Sequence, residues 1–297
     1  MAQKWKYESI TEAHERFLTD FLSQHAVPHL APGTLLQERY QVERVIGIGG
    51  MGQVYLTHDL RFKDAAKWHA LKEILFEAPD DPTWQTRLGD FEAEATRLSV
   101  LNHRFIAKIT DWFFGENRAY LVMEYVEGLT LEDILDGTNG FLNEQEVCIW
   151  GLQLCDVLTH LHTREPPIIL RDLKPSDVML TMHGEIKLID FGIGKVLWHK
   201  PKMIGHQGYS PPEHYKDESD PRSDIYSLGA TLHQLLTKSN PQNEVPFTFY
   251  ERRPRMYNPN ISPQMEAIIM KCLEYQADER WQTAQELRGA LRQAFKA

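Results

Sequence analysis

The segment from Leu170 to Gly192 constrains this chain most. It reads Leu-Arg-Asp-Leu-Lys-Pro-Ser-Asp-Val-Met-Leu and, after a short turn, Ile-Lys-Leu-Ile-Asp-Phe-Gly. Two short apolar runs flank His183-Gly184, so they read as a hairpin with a polar loop before it and an acidic turn after it. That arrangement gathers Asp172, Asp177 and Asp190 around a single Lys174. Clustered carboxylates repel one another and raise each other's pKa, so the cluster calls for a cation. A hard divalent ion bound through oxygen, with Lys174 turned toward a phosphate chain, meets that need.

The length of 297 residues suffices for one large domain or for two lobes with separate cores. A net charge of −10 argues against nucleic acid as a partner, because phosphate backbones favour cationic surfaces. A bound nucleotide needs only local positive charge and stays compatible. Cys148, Cys155 and Cys272 lack metal-ligand spacing, and Cys148 and Cys155, seven apart in a helical pattern, read as small core residues. A reducing, cytoplasmic setting is therefore expected. No apolar run reaches the ~18–20 residues of a membrane span, and the N-terminus is too charged for a signal peptide, so no membrane partner is expected.

Residues 1–33 read as an extension. Ser9-Ile-Thr-Glu12 has the form of a capping box, and Ile10, His14, Phe17, Leu18, Phe21 and Leu22 follow at helical spacing. This helix is expected to pack on the domain behind it, the alternative being partner docking or self-association through residues 8–25. Strand patterns then run from Tyr40 to Leu71, a break falls at Pro79-Asp-Asp-Pro82, and a helix carries Phe91, Ala95 and Leu98. Strands return near 106–111 and 119–123, and after Gly128 the pattern is mostly helical. The expected fold is α+β and bilobal: a small antiparallel sheet lobe with one main helix over 34–122, a linker over 123–128, and a larger helical lobe over 129–297.

Gly47-Ile-Gly49-Gly50-Met-Gly52-Gln-Val54 lies between two strand patterns. Glycines let backbone amides approach a phosphate and permit positive φ. The third glycine leads into a strand, whereas a dinucleotide-binding fold would place a helix there. Lys72 follows at strand spacing. Glu94 falls on the apolar stripe of its helix with Phe91 and Leu98, where a carboxylate needs a partner. Lys72 is the natural one, and the pair would hold the ammonium against phosphates.

Together these motifs resemble the catalytic domain of protein kinases, over about residues 34–295, and in particular the eukaryotic-like serine/threonine kinases of bacteria. The resemblance implies ATP with Mg²⁺, Mn²⁺ being the alternative ion, and protein substrates. It implies that Leu121–Gly128 is the hinge, with Met123 as gatekeeper and Glu124 and Val126 beside the adenine, Val54 and Ala70 above the base and Met179 below it. Asp172 would orient the substrate hydroxyl and accept its proton, Lys174 would neutralise the transferred phosphoryl group, and Asp190 and Asp177 would hold metal. Pro211-Pro212-Glu213 would close the activation segment, Glu213 pairing with Arg280, and Asp224 would brace the catalytic loop. These last features disfavour a small-molecule kinase.

Four positions depart from the family pattern. Leu170 replaces a histidine and keeps its apolar contact, by position with Leu98 and Phe191. Asp177 replaces a metal-binding asparagine, adding charge and losing an amide donor that steadies the loop. His206 replaces a threonine near Asp172 and Lys174, which suggests pH-dependent activity. The stretch 193–209 has no serine or threonine, so activation by serine/threonine phosphorylation there is not expected, with Tyr209 and Ser210 the nominal acceptors. Lowered or metal-shifted kinase activity is the leading expectation, and a pseudokinase scaffold is the alternative.

Overall fold

A computed structural model of the chain describes Leu18 and residues 29–49, 52–62, 67–75, 84–115, 118–191, 208–216, 218–243 and 248–296. The helix expected over 8–25 (Leu18 apart, which is helical and buried), the 79–82 break, Gly50, Gly192 and His206 lie outside these residues. The described chain divides into two compact units, one up to Gly128 and one from Leu129 onward.

The first unit is built on an antiparallel six-stranded sheet: β1 (Leu35–Leu36), β2 (Tyr40–Gly49), β3 (Gly52–Asp59), β4 (Trp68–Leu75), β5 (Ile109–Gly115) and β6 (Arg118–Glu124). Its spatial order is β1-β2-β3-β4-β6-β5. Alternation along β3 buries Gln53, Tyr55, Thr57 and Asp59 and turns the intervening residues to the other face. Tyr40, Val42, Val45, Tyr55, Leu71, Tyr120 and Val122 form the core of the buried face. Helix α1 (Trp84–Ser99) buries Phe91, Ala95 and Leu98, the stripe expected from sequence, and packs Phe91 edge-on against Trp112 and Phe114.

The second unit is mainly helical: α2 (Leu131–Gly137), α3 (Glu144–His162), α4 (Pro221–Thr237), α5 (Pro254–Tyr257), α6 (Pro263–Cys272) and α7 (Ala284–Lys296). A small sheet, β7 (Gly128–Thr130), β8 (Val178–Thr181) and β9 (Ile186–Leu188), carries the hairpin expected after Asp177. Asn143 caps α3 by accepting from the Gln145 and Glu146 amides, and Val147, Trp150, Leu154, Leu158 and Leu161 face inward. Asp220 caps helix α4 and Pro221 takes its first turn, where a missing N–H costs nothing. From Ser223 to Thr237 nearly every α4 residue is buried, which makes it the post around which the unit packs. Gly229 allows the closest approach: an added Cβ would sit 2.4 Å from the Cβ of Cys272. All three cysteines are buried, and burial pushes the Cys148 thiol up to about 11. Among the described residues no helix is long and apolar enough to cross a membrane.

Candidate active site

In the first unit, strand register assembles the candidate residues. Gly47 pairs with Val54, Val54 with Lys72 and Lys72 with Leu121, so they form one row across four strands. The adjacent row pairs Leu56 with Ala70 and Ala70 with Met123. Directly opposed residues share a face, so Val54, Ala70, Lys72 and Met123 present a common surface. Gly49 pairs with Gly52 at the mouth of the hairpin. Gly52 has φ +141°, and a Cβ there would fall 2.0 Å from the Glu73 carbonyl oxygen, so only glycine fits. Glu94 lies half-buried on α1 with Arg97 3.7 Å away on the next turn, a neighbour the sequence did not single out. At the linker, the Glu124 amide donates to the Lys108 carbonyl at 2.8 Å, and Met123 and Val126 are buried.

In the second unit, Asp172 sits in a loop without a backbone ladder, and α4 supplies the missing partners. The buried Asp224 carboxylate accepts from the amides of Leu170 (3.0 Å) and Arg171 (2.7 Å). One turn on, the Ser227 hydroxyl lies within reach of the Arg171 carbonyl at 3.2 Å and of the Tyr209 carbonyl at 2.9 Å, and a further turn on Thr231 donates to the Leu173 carbonyl at 2.8 Å. Both peptide neighbours of Asp172 are thereby fixed, and Asp172 itself is buried. Arg171 is held at φ +76°, a conformation that costs a non-glycine residue of order 1–3 kcal/mol and persists only where surroundings impose it. His162 Nε2 lies 2.8 Å from the same Asp224 carboxylate. Sequence reasoning missed this histidine, which closes a buried helix end and carries no motif of its own.

Asp177 engages its loop as an acceptor. Its side chain cannot donate as asparagine would, yet the loop is steadied: its carboxylate accepts the Lys174 amide at 3.2 Å, and its own amide donates to the Lys174 carbonyl at 3.0 Å. The Asp177 carbonyl accepts from the Ile189 amide at 2.9 Å, which ties the residue to the strand end that carries Asp190. Met179 lies on β8 opposite Lys187. Leu170 and Phe191 are buried, in keeping with an apolar role. Among the described residues no three His, Cys, Asp or Glu side chains form a complete protein-only metal site. Mg²⁺ needs only one or two protein carboxylates, since it takes its remaining oxygens from phosphate and water.

Glu213 and Arg280 form the expected pair, and it is bidentate, at 2.6 and 2.9 Å. Burial is the largest single influence and works against ionisation of Glu213, but the Arg280 hydrogen bonds and charge, a backbone amide and the Ser223 hydroxyl together outweigh it and hold the carboxyl below its ordinary range. Tyr209 and Ser210, the nominal phosphate acceptors, are both buried. The Tyr209 hydroxyl donates to Gln234, and burial raises its pKa. A surface hollow of about 420 Å³ in the first unit is lined by Leu30, Leu36, Phe113, Arg118 and Tyr120, on the sheet face away from Lys72. It takes no part in this site.

The family model for the protein kinase domain matches residues 40–290, and the chain belongs to the protein kinase family. Among curated relatives, a probable serine/threonine-protein kinase of Streptomyces coelicolor, SCO3848, is 35% identical over 84% of this chain and 39% of its own length. The serine/threonine-protein kinases PknB of Mycobacterium tuberculosis and PrkC of Bacillus subtilis are each 32% identical, over 86% and 89% of this chain and 43% and 42% of their own lengths. The chain thus spans about two fifths of these relatives. The kinase domain of M. tuberculosis PknI shares the fold with a TM-score of 0.72 at 24% identity, over 89% of this chain and 99% of that one. PpkA-294 in its apo form does so with a TM-score of 0.75 at 24% identity, over 89% and 100%.

Proposed function

We propose that the chain is a protein kinase that transfers the γ-phosphoryl group of ATP to serine or threonine hydroxyls of protein substrates, with a divalent cation. The observation that carries this reading is the pinned loop: Asp224, Ser227 and Thr231 fix the backbone on both sides of a buried Asp172. Such preorganisation suits a reaction in which positioning and charge stabilisation supply most of the rate. A scaffold has no use for a strained Arg171 held in this way.

Each unit carries its own share of the chemistry. In the first, Gly47, Gly49, Gly50 and Gly52 present amides to phosphate, Lys72 supports the α- and β-phosphates, and Glu94 steadies Lys72. Val54, Ala70 and Met123 give the adenine an apolar surface, and the Glu124 and Val126 backbone reads its edge. In the second, Asp172 orients the substrate hydroxyl and takes its proton, Lys174 offsets charge on the phosphoryl group, and Met179 packs beneath the base. Asp177 and Asp190 would hold Mg²⁺ or Mn²⁺, which when bound neutralises phosphate charge.

Transfer of labelled γ-phosphate to a generic basic protein, with Asp172→Asn as control, tests the reading. Transfer that is lost in the control supports it, and transfer equal in the two proteins overturns it. Saturation with ATP and Mg²⁺ at ~100 times Kd should stabilise the fold by about 2.7 kcal/mol. A thermal shift without transfer would point to a scaffold instead. Asp177→Asn should retain or gain transfer, and a fall would overturn the reading that a carboxylate at this position lowers activity.

A further inference from the structure

The buried face of the first sheet holds a charged network directly behind the phosphate-facing row. Glu73 follows Lys72 on β4 and points the opposite way, with 1% exposure. Its carboxylate receives Arg118 and lies 3.1 Å from the Tyr55 hydroxyl. That hydroxyl is also 2.8 Å from Gln53 Oε1 and accepts the backbone N–H of Leu30 at 3.1 Å. Leu30 belongs to the segment ahead of the sheet, which is strapped on by the Gly33 amide to the Val42 carbonyl (2.7 Å) and the Val42 amide to the Thr34 carbonyl (2.9 Å). The same Glu73 presents its carbonyl to Gly52, at the close approach that excludes a side chain.

A buried carboxylate is retained only when paired and hydrogen-bonded, and this one has partners on β3 (Tyr55) and β6 (Arg118), with the leading segment reaching it only through the Tyr55 hydroxyl. Two neighbours in sequence thus do different work. Lys72 faces the proposed phosphates, while Glu73 locks the strand that carries it to the strand that begins at Gly52. We propose that Tyr55 and Glu73 are positioning residues for nucleotide binding, acting through the backbone of Lys72 and Gly52, and that Leu30 belongs to this brace. The inference rests on the reading that Lys72 and the glycine hairpin hold the ATP phosphates.

Steady-state kinetics of the full chain against ATP test it. Tyr55→Phe keeps the ring and removes the hydroxyl, and Glu73→Gln keeps the shape and removes the charge. Each should raise KM for ATP about five-fold, in line with the loss of one buried hydrogen bond, while kcat stays within about two-fold. Thr57→Val is the control: it removes a buried bond on the same face, Thr57 Oγ1 to the His69 carbonyl at 3.3 Å, without touching Gly52 or Glu73. It should lower the melting temperature and leave KM for ATP unchanged. An unchanged KM in Tyr55→Phe and Glu73→Gln overturns the brace, as does an equal rise in Thr57→Val. Lys72→Met separates the two readings. If it abolishes ATP binding while the brace variants bind normally, only the brace falls; if it binds ATP normally, the nucleotide site falls and the brace with it.

Discussion

The two units solve one problem, holding a polar residue still, by different means. In the first, Lys72 is placed by strand pairing, and side-chain bonds around Glu73 lie on the far face. In the second, Asp172 sits on a chain with no ladder, and one helix reaches out at positions 224, 227 and 231 to capture its backbone. A strand supplies its own backbone partners every second residue, whereas a loop must borrow them. The loop is therefore more exposed to the loss of a single side chain than the strand is.

The largest effect should come from Arg280→Ala, which leaves Glu213 without its bidentate partner. Breaking a buried pair costs about 3–5 kcal/mol, read as a lower urea midpoint. Asp224→Ala should follow at about 2–5 kcal/mol, since two amides lose their acceptor, and transfer activity should fall with it. If activity survives there, the loop does not depend on borrowed partners and the contrast fails. Gly229→Ala should cost about 1–3 kcal/mol by forcing α4 from Cys272, with little change in KM for ATP. Acid titration of stability gives the mildest test. A carboxyl held low in the folded state contributes stability that is complete above its ordinary pKa of about 4.3 and lost as pH falls through the folded value. Glu213 is such a group, so Glu213→Gln should flatten the acid limb of the melting curve below about pH 4.3, and an unchanged limb would count against the pairing.

Much of the site was legible because its chemistry is local in sequence. The glycine spacing, Lys72 at strand distance and the acids around Lys174 each make a demand that few folds meet. The Glu213–Arg280 pair and the Asp224 brace came from the family resemblance, and the geometry agrees with both. What escaped were partners far apart in the chain. Alternation alone would have turned Glu73 inward once Lys72 was turned out, but Arg118 stands 45 residues away and nothing in the sequence links the two. His162 was hidden for the same reason. The acceptor role of Asp177 toward the Lys174 amide also went unread, because it depends on how the short loop closes and not on residue type. The glycine hairpin tip and His206 lie outside the described residues and leave those expectations where the sequence put them.

Tyr209 bears on how modification data for this chain should be read. Its ring is walled in, and its oxygen is engaged with Gln234. A modifying enzyme could reach it only in molecules whose 208–211 stretch has come away from α4. Any occupancy measured at that tyrosine by mass spectrometry would therefore work as a census of opened molecules, rising with mild denaturant, and not as the record of a signalling event.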